Sequence, residues 1–187
     1  PCLAHEIDPT YFDPLAVDPA QARDVARWRK AERARLLAER ATLSVSARQD
    51  AAERITPRLD DLIRARFGQI EGLTISGWWP IKAELNLRHW LADLVGQGAT
   101  VALPVVLTPA APLVFRPWTP DCHMVQGFWK IPTPAEGPEV IPDVTLAPLV
   151  GWDAAGFRLG YGGGHFGRAL AALAPSPHAL RGGLQAA

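Results

Sequence analysis

Arginines close both ends of Arg158-Leu-Gly-Tyr-Gly-Gly-Gly-His-Phe-Gly-Arg168, and Gly160, Gly162, Gly163 and Gly164 lie between them. Glycine tolerates positive φ and lets the backbone pass close to a ligand, so such a run can turn several amide N–H groups toward one anion. The residues that follow read as a helix from about Phe166 to Leu173. A glycine turn opening into a helix N-terminus is a physically sensible phosphate cradle. On glycine content alone a flexible surface loop is the competing reading. The flanking arginines and the apolar helix favour anion binding.

Two further groups could serve such a site. Arg29, Lys30, Arg33, Arg35 and Arg40 lie along one stretch of helical pattern, and Arg29 and Arg33, four apart, share a helix face; the competing reading is a solvated basic face balanced by Glu32 and Glu39. Trp79, Glu84 and Trp129 offer flat aromatic surface and one carboxylate, the complement expected for a planar heterocycle with an amide-like edge. Glu84 alone also fits an acid at a helix N-terminus.

The elements that must position these residues follow from local patterns. Asp18-Pro19 reads as an N-cap and first helical position, opening a helix from Ala20 to Leu43. Ser46 opens a second helix to about Phe67, with Pro57 ending one segment or kinking it and Gly68 as the stop. Leu73 to Trp79 is a short strand, Glu84 to Val95 has helical apolar spacing, and Thr100 to Leu107 is a buried strand with Pro104 near its exit. Trp78 and Trp79 alternate on that first strand, so one faces the site and the other the core. Leu113 to Arg116 is a further strand, antiparallel as one option, and Asp143 to Pro148 another. Between them Pro117 to Pro142 reads as a long irregular section, a type uncommon without a functional reason. Residues 1–18 read as an irregular arm, and the C-terminus looks abbreviated.

At 187 residues the chain suits one sizeable core: an arm at 1–18 followed by a single domain at 19–187. Acidic and basic residues balance at 19 each, which gives no long-range attraction for nucleic acid or an anionic membrane. Two cysteines without C-x-x-C spacing disfavour a disulfide scaffold or structural zinc. No apolar run approaches a membrane span, and the acidic, proline-containing start lacks a secretory signal, so a cytoplasmic protein is expected.

The order of basic helix, strand with Trp-Trp-Pro and following glutamate, strand ending near Pro104, Phe-Trp-Lys-Ile-Pro, Asp143 strand and Arg-Leu-Gly-Tyr-Gly-Gly-Gly resembles the 5-formyltetrahydrofolate cyclo-ligase (methenyltetrahydrofolate synthetase) family. The resemblance runs from about Trp28 to His178, and Arg158 to Gly164 matches the family's run residue for residue. It implies a three-layer α/β/α sandwich around a central, mainly parallel (mixed) sheet, Rossmann-like and NagB-RpiA-CoA transferase-like. It implies ATP- and magnesium-dependent closure of 5-formyltetrahydrofolate to 5,10-methenyltetrahydrofolate, in a monomer or homodimer.

On the resemblance, Arg158 is catalytic. The nucleotide lies against Arg29, Arg33, Arg158, Gly160, Tyr161, Gly162, Gly163, Gly164, His165 and Phe166, and the folate against Trp79, Ile81, Glu84 and Trp129. Arg29 stands where the family usually carries lysine, which keeps charge and changes donor geometry. Where the family usually reads Tyr-Tyr-Asp-Arg, with the aspartate associated with magnesium, this chain reads His165-Phe166-Gly167-Arg168. Glycine cannot ligate a metal and histidine is a poor ligand for a hard cation, so no metal-ligating residue is assigned. That departure motivates an alternative, a catalytically impaired folate- or nucleotide-binding paralogue with a regulatory role. A generic anion-binding α/β domain, such as a sugar-phosphate protein, shares the glycine loop and leaves Trp79, Glu84 and Trp129 together unexplained.

Overall fold

The computed structural model describes residues 18–173. The predicted arm up to Val17, and the C-terminal segment from Ala174, lie outside the described residues.

Two 23-residue helices come first, α1 (Pro19–Ala41) and α2 (Val45–Phe67). The Asp18 carboxylate accepts from the Ala20 amide at 2.9 Å ahead of Pro19, as the Asp-Pro pair predicts. Ser44, and not Ser46, caps α2, its hydroxyl oxygen accepting from the Ala47 amide at 3.0 Å. Pro57 neither ends nor divides this helix. It leaves the Glu53 carbonyl without its amide donor, and the Thr56 hydroxyl donates to that carbonyl at a long 3.5 Å. Ala52 before the proline and Leu59 and Ile63 after it are buried, so packing on both sides holds the helix in one piece. Gly68 ends it at φ 83, donating to the Arg64 carbonyl at 2.8 Å.

A four-stranded sheet follows in the order β3-β2-β1-β6: β1 (Thr74–Ser76), β2 (Thr100–Val105), β3 (Val114–Pro117) and β6 (Val144–Thr145). β1 runs parallel to β2 and β6, and β3 runs antiparallel to β2. The Asp143 carboxylate accepts from the Thr74 amide at 2.8 Å and ties the start of β6 to β1. Alternation along β2 divides the core. Val101 and Leu103 join Ile75, Leu59, Ile63 and, from α3 (Arg88–Gly96), Trp90, Leu91 and Leu94. Ala102 faces the other way, toward Phe115 and Ala169 of α4 (His165–Leu173). Helices thus cover both faces of a mainly parallel sheet, the three-layer arrangement expected.

Four further expectations change. β1 stops at Ser76, so strand alternation does not separate Trp78 from Trp79. Helix α3 begins at Arg88 and not Glu84, because Lys82 and Ala83 adopt φ of 47° and 60° and Glu84 closes a turn onto Ile81. The proline-rich section contains an antiparallel hairpin, β4 (Met124–Gln126) with β5 (Pro132–Pro134), joined by a 3-10 turn at Phe128–Lys130. Arg158–Leu159 forms a two-residue strand, β8, paired with β7 (Gly151–Trp152).

Candidate active site

Helix α1 has no buried residue, so its packing does not explain its position. What it presents inward is a stripe at helical spacing, Arg33, Leu36 and Arg40. Arg33 donates from Nε to the Gly160 carbonyl at 2.7 Å. Arg40 donates from Nη1 to the Leu149 carbonyl at 3.2 Å and from Nη2 to the Tyr161 hydroxyl. Leu36 abuts Gly151 of β7 so closely that a Cβ there would lie 2.5 Å from its methyl. Arg35, by contrast, pairs with Glu32 and Glu39 at the surface. The solvated reading of the basic helix holds for Arg35 and fails for Arg33 and Arg40.

The glycine loop runs from β8 into α4. Gly162 and Gly164 adopt φ of 100° and 68°, where other residues are strained. The loop is held from both sides, Arg33 lying 3.4 Å from where a Gly162 Cβ would be and Arg168 donating to the Gly163 carbonyl at 2.8 Å. His165, first in α4, meets Trp129 edge to face with centroids 4.9 Å apart. Trp129 is delivered by the tight β4–β5 turn, in which it and Lys130 take φ of 55° and 60°. Such conformations cost about 1–3 kcal/mol each and persist where the surroundings over-determine them. Here the Gly127 amide donates across the turn to Ile131 at 2.9 Å, and the Trp129 indole is left 61% exposed.

Glu84 is 8% exposed. Its Oε2 accepts from the Ile81 amide at 2.9 Å and its Oε1 from the Tyr161 hydroxyl at 2.6 Å. Burial pushes its carboxyl above the usual carboxylate range, while Tyr161, Ile81, Arg40 and Trp78 pull it back. Burial, then the hydrogen bond and charge of Glu84, push the Tyr161 hydroxyl up to about 12, so it stays a donor at neutral pH. Burial, with the Arg168 charge, lowers His165, which favours a neutral ring.

All fourteen sequence-predicted site residues line one cavity of about 910 Å3, from Arg29 and Arg33 through Trp79, Ile81, Glu84 and Trp129 to Arg158 and the Gly160–Phe166 run. That size is in the range of small-molecule sites. Sequence reasoning missed Lys82 and Lys130, which also line it, and Trp78, which lines it beside Trp79. With Arg29, Arg33 and Arg158 the two lysines make five cations against the single carboxylate of Glu84, so the cavity suits a strongly anionic ligand with an attached apolar plane. His165 Nδ1, a buried polar atom in its lining, has no hydrogen-bond partner among the described residues, whereas the Trp78 indole N–H lies close enough to Glu84 to favour its charged form. An orphaned buried group such as the His165 nitrogen suits a bound ligand. Arg40 was legible only as the continuation of the Arg33 stripe, seven residues on.

Comparison with known proteins agrees with this geometry. Residues 25–181 match the 5-formyltetrahydrofolate cyclo-ligase family. The 5-formyltetrahydrofolate cyclo-ligase of Haemophilus influenzae is 30% identical over 140 residues, 70% of this chain and 71% of the relative. That of Mycolicibacterium smegmatis is 31% identical over 146 residues, 74% and 72% of the two chains. The solved structure of Aquifex aeolicus 5,10-methenyltetrahydrofolate synthetase superposes with a TM-score of 0.65 at 25% identity, over 76% of this chain and 72% of that one. With a family match over most of its length, and a glycine loop and carboxylate meeting in one cavity, the chain belongs to the 5-formyltetrahydrofolate cyclo-ligase family.

Proposed function

We propose that this protein closes 5-formyltetrahydrofolate to 5,10-methenyltetrahydrofolate at the expense of ATP, releasing ADP and phosphate. A formamide oxygen is a poor leaving group. Transfer of the γ-phosphoryl group to it, with departure of ADP, makes it a good one. N10 then attacks the formyl carbon and gives up its proton, and phosphate leaves carrying the former formyl oxygen. Catalysis of this kind rests on positioning and charge neutralisation.

The observation that carries the reading is the meeting of the glycine loop and its arginines with Glu84 and the tryptophans in one cavity. On this reading Arg29, Arg33 and Arg158 neutralise the phosphates, and the loop amides from Gly160 to Gly164 cradle them beside His165 and Phe166. Trp79, Ile81 and Trp129 wall the pterin. Glu84, whose oxygens each have a lone pair left after Ile81 and Tyr161, accepts from its N–H edge.

The side chains do not build a magnesium site. Among the described residues no group of three or more His, Cys, Asp or Glu could hold a metal, and Gly167, which lines the cavity, carries no donor. Glu84 is already engaged by Tyr161 and Ile81. Magnesium would arrive in the nucleotide's own complex, with water and phosphate oxygens as ligands. No residue is assigned to it. The described helices include none long and apolar enough to cross a membrane. Nothing in the comparisons favours a regulatory, catalytically impaired paralogue.

The test is turnover. The protein, 5-formyltetrahydrofolate and Mg·ATP should together produce the near-ultraviolet absorbance of the methenyl product. Folded protein that yields no more than the enzyme-free control would overturn the assignment.

A further inference from the structure

Tyr161 stands between Gly160 and Gly162, in the middle of the loop assigned to the nucleotide, yet its hydroxyl bonds to the carboxylate assigned to the folate. The two residues are 77 apart in sequence. Arg40, 121 residues from Tyr161, donates to the same hydroxyl and is anchored in turn on the Leu149 carbonyl. Lys82 places its ammonium 5.3 Å from the centre of the Tyr161 ring, on the side chain's other exposure to charge. The tyrosine oxygen therefore accepts from a cation and donates to an anion, which fixes its proton on the Glu84 side.

The loop that carries Tyr161 is itself held by a phosphate-facing residue. Arg33 grips the Gly160 carbonyl and packs against Gly162, and it lines the cavity with Arg29 and Arg158. An anion drawing on Arg33 and on the loop amides acts on the backbone at both sides of Tyr161. The tyrosine hydroxyl is the direct path from that backbone to Glu84. The ring alone would fill the same space, so packing does not account for the oxygen.

We propose that the Arg40–Tyr161–Glu84 chain couples the two halves of the cavity, so that nucleotide on the glycine loop sets Glu84 in place for the pterin. Arg40 and Tyr161 are positioning residues in this scheme. The inference rests on the proposed function, and it adds that the two substrates bind with positive cooperativity transmitted by one hydroxyl. Coupling between sites is typically 5- to 150-fold, about 1–3 kcal/mol, and is reciprocal.

Calorimetry tests it. The dissociation constant of 5-formyltetrahydrofolate is measured with and without saturating non-hydrolysable ATP analogue, in the wild type, Tyr161→Phe and Arg40→Met, and the analogue is titrated with and without folate. In the wild type the analogue should tighten folate by about fivefold or more, and folate should tighten the analogue by the same factor. Tyr161→Phe should bring that factor below about twofold while the variant still binds each ligand alone, and Arg40→Met should lower it as well. A structural role alone would weaken both ligands and leave the ratio unchanged. Equal coupling in the wild type and Tyr161→Phe, or no coupling in the wild type, overturns the inference. Failure of the wild type to bind folate under any condition overturns instead the functional reading beneath it.

Discussion

Replacing Gly162 by alanine tests the assignment of the glycine loop at its most constrained point. The residue sits at φ +100, and an added Cβ would lie 3.4 Å from the Arg33 Cζ and 3.6 Å from its Nη1. Holding an L-residue in such a conformation costs about 1–3 kcal/mol. The added Cβ would sit at the edge of ordinary contact with the guanidinium that donates the 2.7 Å bond to the Gly160 carbonyl, so the backbone strain is the main cost. If the loop keeps its shape, the strain appears in stability, as a fall in thermal midpoint of about 2–4 °C per kcal/mol for a domain of this size. If the loop relaxes, the cost must be repaid when nucleotide binds, and 1–3 kcal/mol corresponds to roughly a 5- to 150-fold loss of affinity. Calorimetry with the ATP analogue and a thermal scan together capture both routes. Gly96→Ala is the control: Gly96 lies in α3 without positive φ and with nothing within 4 Å of its Cβ position. That change should raise stability by up to about 1 kcal/mol and leave nucleotide affinity unaltered. Gly162→Ala with wild-type midpoint and affinity within about twofold of wild type would refute the account of the loop.

Glu84, raised by burial above its unfolded value, binds its proton more tightly in the folded protein. Its contribution is therefore fully present below the unfolded pKa and is lost as pH rises through the folded value. Relative to Glu84→Gln, the wild type should lose stability across that interval and then run parallel to the variant; thermal midpoints from about pH 4 to about pH 8 would show it, and a constant difference would contradict it. Gly167→Asp meets open space, since nothing lies within 4 Å of the Cβ position, and it adds an acid to the first turn of α4. Stability should rise by about 0.5–1 kcal/mol. Because the position lines the cavity, the ratio of ATP affinities with and without magnesium should also rise, and an unchanged ratio would separate residue 167 from the nucleotide's metal.

Much of the local structure was legible in the chain. Asp18 with Pro19 starts a helix, Gly68 stops one, and the glycines at 162 and 164 take the positive φ that their neighbours' types would resist. These features depend on φ preferences and on hydrogen bonds spanning a few residues, so a residue's type and nearest neighbours suffice. The same locality explains the misses. Pro57 marks a break by local rules, but burial of Ala52, Leu59 and Ile63 outweighs one lost hydrogen bond. Prolines from 117 to 142 conceal the β4–β5 hairpin, whose pairing is set by the opposite strand.

By sequence alone the chain determined which residue types would meet an anion and a flat ring, because the glycine loop, Arg29, Arg33, Glu84 and Trp129 carry that chemistry wherever they fold. Only the tertiary structure decided how they are joined. Arg33 reaches Gly160 across 127 residues, Arg40 reaches Tyr161 across 121, and Tyr161 reaches Glu84 across 77. Contacts at such separations leave no periodic trace, since they arise where α1, the turn after β1 and the loop before α4 meet in space. The basic face of α1 shows the division most plainly: spacing put Arg29 and Arg33 on one helix face, and the fold placed both in the lining of the cavity.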